Sequence, residues 1–296
     1  MLFRAAFALL AVAAAAQQPG RDLGSVHTGD TVRVVAFGDF GYSGGGSGQK
    51  QVAASIAALH REKPFHLGIT LGDNFYPRGV SSVDDPAWKT MWEDNYAPLG
   101  IPFYAALGNH DYAGNEQAEV DYTAKSRSWR MPHRYYDFTA GPAHFFALDT
   151  DEGNAGGFLG LFRPPWSAAQ RDWLDRRLAA ATAGWKVVYG HHPVYSDGHH
   201  GDEQRLRRQL LPLLRERKVD VYLAGHDHDL QHFRADGIEF LVVGGGGKDT
   251  RRITRRRALF AEGAHGFLEM EAKSTTLTMT IRYADGRVAH EVRLSR

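Results

Sequence analysis

The chain has 296 residues, 43% hydrophobic and 23% charged, with 33 glycines, which excludes disorder, collagen and coiled coil and suits one large domain or two small ones. Lys plus Arg number 35 against 34 Asp plus Glu, so no global field draws the protein to nucleic acid or to an anionic membrane, and partners must be sought in local chemistry. The absence of cysteine removes disulfides, thiolate zinc sites, iron–sulfur clusters and thiol nucleophiles together, leaving oxygen and imidazole to hold any metal.

The first element is a targeting segment. Arg4 gives a positive start, residues 5–16 an apolar stretch too short to span a bilayer, and Ala14-Ala15-Ala16 a small-residue cleavage site. Residues 1–16 are therefore expected to be a signal peptide, and the protein to be secreted or periplasmic. Removing them takes only Arg4 from the 35 basic residues, leaving 34 against 34 acidic. Residues 17–29 are read as a short N-terminal segment. Residues 30–296 are read as one catalytic domain, because no linker, repeat or low-complexity tract interrupts them. No later run reaches the roughly 18 uncharged apolar residues of a membrane span, so no transmembrane segment is expected in the mature chain.

Five short apolar stretches rich in β-branched residues read as buried strands: 32–37, 66–71, 102–107, 185–189 and 219–224. Between the first two, residues 49–62 have helical spacing at Val52, Ile56 and Leu59, ended by Lys63-Pro64. Residues 86–97 carry Trp88, Trp92 and Tyr96 four apart, the face of a packed helix. Ser167-x-x-Gln170 reads as a capping box opening a helix over 167–181. A fourth helix is expected over 202–217. Residues 134–139 and 144–149 flank the turn Ala140-Gly141-Pro142, and 275–283 with 287–294 form a hairpin across Ala284-Asp285-Gly286. Parallel and antiparallel pairing are thus mixed within an α/β (α+β mixed) chain. The expected architecture is a four-layer αββα sandwich of two mixed β-sheets flanked by helices.

Polar chemistry follows each of the five apolar strands: Gly38-Asp39, Gly72-Asp73-Asn74-Phe75-Tyr76, Gly108-Asn109-His110-Asp111, Gly190-His191-His192 and Gly225-His226-Asp227-His228. Strand ends that point the same way converge on one crevice, and the glycine is expected to let the backbone turn sharply there. Carboxylates, an amide and imidazoles without sulfur suit iron, zinc or manganese. One such tetrapeptide is an ordinary turn; five in order mark a metal or catalytic site.

The ordered set resembles the calcineurin-like metallophosphoesterase superfamily, and Gly72-Asp73-Asn74-Phe75-Tyr76 resembles the purple acid phosphatases. The similarity extends through residues 109–115, 190–196, His200-Gly201 and 225–231. It covers about residue 30 to the C-terminus and is similar to the short, single-domain, mammalian-type, tartrate-resistant kind. The resemblance implies two metal ions. By the same resemblance, Asp39, Tyr76 and His228 would hold a ferric ion coloured by the tyrosinate, Asn109, His191 and His226 would hold Fe(II), Zn or Mn, and Asp73 would bridge them. A hard trivalent ion suits phenolate and carboxylate, and an amide with two imidazoles suits a borderline divalent one.

Two cations about 3.5–4 Å apart clamp a phosphoryl group and turn a bound water into the attacking hydroxide. Hydrolysis of a phosphate monoester, small-molecule or protein-borne, follows, and no nucleic-acid partner is expected. His110, by resemblance, gives the leaving oxygen its proton. Asp111 either orients that imidazole or is a turn residue. His200 matches a phosphate-contacting histidine, with His199 as the competing assignment, and His192 is read as a rim or substrate contact. His60, His66, His133, His144 and His290 are read as surface or structural residues. The arginines at 251, 252, 255, 256 and 257 are read as a solvated loop, or as a cluster attracting anionic esters. Residues 151–165 occupy the position of a loop over the active site. Asp229 stands where the family usually has Asn, and the cysteines of mammalian members are absent. A phosphodiesterase or nucleotide hydrolase on the same scaffold, and an inactive metal-binding module of the cell envelope, are the alternative readings.

Overall fold

Apolar strands with no polar face need cover on both sides, and the five apolar runs find it in two stacked sheets. The computed structural model describes residues 20–45, 47–152 and 166–296. The expected leader lies outside the described residues, as does nearly all of the segment expected to lie over the site. In chain order the strands are β1 (Arg21–His27), β2 (Thr31–Phe37), β3 (Leu67–Leu71), β4 (Phe103–Ala106), β5 (Trp129–Arg130), β6 (Tyr136–Ala140), β7 (Ala143–Ala147), β8 (Trp185–Tyr189), β9 (Val221–Ala224), β10 (Leu230–Ala235), β11 (Ile238–Val243), β12 (Phe260–Glu262), β13 (Gly266–Lys273), β14 (Thr276–Tyr283) and β15 (Val288–Ser295). The α-helices are α1 (Gln49–Glu62), α2 (Asn109–Tyr112), α3 (Glu116–Asp121), α4 (Ala168–Ala180), α5 (Gln204–Gln209) and α6 (Leu211–Glu216).

One sheet runs β1-β6-β7-β8-β9-β11-β10-β12 and the other β15-β14-β13-β2-β3-β4-β5. Both are mixed: β2, β3 and β4 pair in parallel, as do β7, β8 and β9, while β13, β14 and β15 form antiparallel pairs. Alternation along β8 divides the core. Val187 and Tyr189 join the larger apolar cluster with residues of the other sheet, including Val35 and Ile69. Val188 turns the other way and meets Trp173, Leu174 and Leu178 of α4 and Leu214 of α6.

Four expectations are corrected. Arg21–His27 is an edge strand, parallel to β6, so the folded body begins before residue 30. Its residues are mostly exposed and carry no apolar pattern; backbone pairing and Arg177, which bridges Asp22 and Asp137, hold it. The expected helix over 86–97 is a π-helical turn, Trp88–Glu93, followed by a 3₁₀ turn, Ala97–Leu99. Its aromatic face survives: Trp88, Trp92 and Tyr96 are all buried, within a cluster that includes Phe40, Phe75 and Trp129. The 202–217 helix breaks at Leu210, because Pro212 has no N–H to continue the ladder and its ring crowds the preceding turn. The capping box at α4 is half formed. Ser167 accepts from Gln170 N, but the Gln170 side chain donates to Asp149 and Glu152 instead of reaching back.

Candidate metal centre

The carboxyl ends of β2, β3 and β4 in one sheet and of β8 and β9 in the other open on the same crevice, and all seven expected donors meet there. The backbone that delivers them is unusual at the donors themselves. Asp39, Asp73 and His226 have φ of 58°, 48° and 71°, a left-handed region that side chains enter seldom, Asp and His more readily than most. This corrects the expected role of the glycines. Among Gly38, Gly72, Gly108, Gly190 and Gly225, only Gly72 has a positive φ, 83°. Gly108 and Gly225 are required for close approach: a Cβ would collide with Asp73 at the first and with the Asp39 carboxylate at the second.

Second contacts fix which nitrogen of each imidazole faces the crevice. His191 Nδ1 donates to the Leu71 carbonyl at 2.8 Å and His228 Nδ1 to the Asp249 carbonyl at 2.9 Å, so both turn Nε2 inward. Around the Tyr76 hydroxyl stand Asp39 Oδ1 at 2.9 Å, Asp73 Oδ2 at 2.9 Å and His228 Nε2 at 3.2 Å. Around His191 Nε2 stand His226 Nδ1 at 3.1 Å, Asn109 Oδ1 at 3.2 Å and Asp73 Oδ2 at 3.4 Å. Acceptors face acceptors in both groups, with too few protons to pair them, and Asp73 Oδ2 belongs to both. Asp73, His191 and His226 also offer ligand atoms within 4.8 Å of one another. Such a donor set fits two cations sharing one carboxylate.

The electrostatics of the free protein agree. Burial works against a charged His191, but Asp73, Asp39 and the Leu71 carbonyl override it and hold the imidazole up to about 10. Burial pushes Asp73 up, yet His191 beside it brings the carboxylate below its usual range. Asp39 is pushed up by burial and by the Asp73 charge. Tyr76 is raised by burial and by both carboxylates. Burial, then Arg251, lowers His228 to about 4.

His110 is part-exposed at the mouth. Its backbone N–H donates to Asp73 Oδ1 at 2.8 Å, and its Nδ1 donates to the Pro77 carbonyl at 2.7 Å, which turns Nε2 toward the centre, 3.9 Å from Asp73 Oδ2. Asp111 does not orient that ring, a correction to the first of its two readings. It is fully buried and accepts from the backbone N–H groups of Asn74, Phe75 and Gly108, so it ties the Asp73 loop to the Asn109 loop. His200, not His199, approaches the centre, its ring 4.1 Å from that of His226. His192 is not on the rim. It is buried behind His226, with Nδ1 on the Thr150 hydroxyl at 3.0 Å. Asp229 is raised to about 8 by burial and by Asp227, so near neutral pH it is largely uncharged, as the family's Asn would be.

Sequence reasoning missed a layer beneath the donors. Asn74 Nδ2 donates to Ala106 O, Asp111 Oδ2 and Glu119 Oε2. Thr150 Oγ1 accepts from His191 N and His192 N. Asn74 lies inside the Gly72-Asp73-Asn74-Phe75-Tyr76 motif and is visible in the sequence; Glu119 and Thr150 have no local signal.

A family model for calcineurin-like phosphoesterases matches residues 26–230. Purple acid phosphatase 7 of Arabidopsis thaliana is 31% identical over 88% of this chain and 85% of its own length. Human tartrate-resistant acid phosphatase type 5 is also 31% identical, over 90% of this chain and 91% of its own. Among solved structures, GAP50, described as the anchor in the inner membrane complex of Plasmodium, superposes with a TM-score of 0.77 at 25% identity, covering 90% of this chain and 89% of that one. Purple acid phosphatase PPD1 of yellow lupin gives 0.67 at 20% identity, covering 91% and 54%, a likeness of fold. With the family model spanning most of the chain and the acid phosphatases matching nearly end to end, this protein belongs to the calcineurin-like metallophosphoesterases, among relatives that are purple acid phosphatases.

Proposed function

We propose that the protein is an exported acid phosphatase with a binuclear centre, hydrolysing phosphate monoesters. Asp39, Tyr76 and His228 would hold ferric iron, Asn109, His191 and His226 would hold ferrous iron, zinc or manganese, and Asp73 would serve both. When bound, the ions supply Lewis-acid activation of the phosphoryl group and of water. The chain's own residues do the rest. His110 Nε2, with Nδ1 anchored on Pro77, gives its proton to the ester oxygen as the P–O bond breaks, so the alcohol leaves neutral. His200, whose ring lies 4.1 Å from that of His226, would contact a phosphoryl oxygen of the substrate. Export and a single catalytic domain that includes β1 belong to the same proposal, supported by the alanine-rich leader, by the pairing of β1 with β6 and by the lack of any linker.

The observation that carries this reading is Asp73 Oδ2, shared by two groups of acceptors with one phenol among them. The test is the visible spectrum of protein loaded with iron, beside metal analysis. A purple band that disappears in Tyr76→Phe is expected. Colourless, fully active protein holding two zinc or manganese ions would remove the ferric tyrosinate and leave the esterase. Steady-state rates should favour an aryl monophosphate over its bis-aryl diester, and the reverse order would make the protein a diesterase.

The anchoring role of the Plasmodium neighbour favours a second reading, a metal-bound interaction module without turnover. It requires that protein carrying both ions leave an aryl monophosphate untouched.

A further inference from the structure

The segment from Lys248 to Arg257 carries six cationic residues against one carboxylate, Asp249. Lys248 pairs with Asp249 at 3.3 Å, and Arg257 is bound to Asp197 and Asp202. Arg251, Arg252, Arg255 and Arg256 have no carboxylate partner among the described residues, so their charge stays unneutralised.

These arginines are placed, not merely exposed. The Arg251 backbone N–H donates to the His228 carbonyl at 3.0 Å, and its guanidinium donates to His200 Nε2. Arg255 lies over the next residue, where a Cβ on Gly201 would collide with its guanidinium. Two guanidinium groups therefore flank the His200-Gly201 turn at the mouth of the metal centre. Beyond them is a cavity of ≈ 250 Å³ whose lining includes Asp197, Ile253, Arg255, Arg256, Leu259 and Phe260. The single carboxylate in this wall is already occupied. Asp197 is fully buried and accepts from the N–H groups of Arg257 and Ala258 and from Arg257 Nε. What faces the cavity is two arginine forks with no carboxylate partner among the described residues, Arg255 donating only to the Ser196 carbonyl at 3.5 Å, over an apolar floor, a surface that matches phosphate oxygens and an aliphatic spacer.

We infer that this cavity is a second anion subsite, joined to the metal centre through Arg251, and that the preferred substrates are phosphomonoesters whose alcohol carries a further phosphate. The scissile end of the inference rests on the phosphatase reading; the subsite stands on its own residues.

The test compares wild type with an Arg255→Gln/Arg256→Gln double variant. The substrates are a flexible alkanediol bisphosphate and the matching alkyl monophosphate. Calorimetry with the corresponding non-hydrolysable bisphosphonate and monophosphonate accompanies the kinetics. Wild type should favour the bisphosphate about tenfold or more through KM, the preference should shrink with added salt, and the double variant should lose it in both kinetics and binding. Equal KM for the two esters in wild type, or an unchanged preference in the variant, overturns the inference. If neither ester is hydrolysed by the metal-loaded protein, the phosphatase reading falls. The calorimetric ratio still decides the subsite: tighter bisphosphonate binding that depends on Arg255 and Arg256 upholds it, and equal binding removes it.

Discussion

A hydroxyl has one proton to give, and Tyr76 meets three acceptors; a binding site for cations is legible in that mismatch alone. The titration of the free protein makes the claim measurable. At pH 7 His191, held up to about 10 after burial is outweighed by Asp73, carries its proton, and so does Tyr76, raised by burial and its carboxylate neighbours. Each must release that proton to present a lone pair to a metal. Calorimetry in buffers of different ionisation enthalpy should count about two or more protons released on loading, Asp39, itself pushed up by burial, adding to the count, and none would take both residues out of the ligand set. His110 is judged by leaving group. Its replacement by alanine should cost about 10²–10⁴-fold on an alkyl phosphate, whose alkoxide needs a proton, and far less on a nitrophenyl phosphate. A uniform loss would move His110 from proton donor to scaffold.

Between residue and fold lies the set of loops that leave the strands, and their stiffness depends on Asn74, Asp111 and Glu119. Asn74→Ala removes an amide whose two N–H protons serve three buried acceptors. A loss of about 3 kcal/mol is expected in urea unfolding, with weaker metal binding. Glu119 offers a pH signature. Burial, then the Asp111 charge, raises it well above 4.5, so the native state keeps a proton that the unfolded chain has released. That contribution is present at low pH and fades as pH rises through the raised value. In Glu119→Gln the group no longer titrates. The variant's urea midpoint should gain on wild type as pH climbs above 4.5, and a gap constant with pH would show that Glu119 keeps an ordinary value.

On the scale of the whole molecule, the donors come from both sheets, β2, β3 and β4 on one side and β8 and β9 on the other, so the ions would bind across the sandwich. Ligands that bind only the native state stabilise it by mass action. At a free-ion level a thousand times the dissociation constant, chelation should cost about 4 kcal/mol, on the order of 10 °C in a chain of this size. An unchanged melting temperature after full metal removal would mean that the two sheets hold this geometry without the ions.

The five apolar strands, α1 and the donor after each strand were legible in the sequence because each depends on local chemistry: β-branched runs, a 3.6-residue period, a glycine beside a polar group. Side-chain period and turn residues act over a few neighbours, so they survive reading along the chain. The structure alone decided that β1 joins the larger sheet, that Asp111 clamps two loops and leaves His110 to Pro77, that His192 lies behind His226, and that positive φ falls on the donors more than on the glycines. The first three are contacts between residues far apart in sequence, settled by which group fills a space the fold has already enclosed, and the last is a backbone strain that only the surrounding fold can hold.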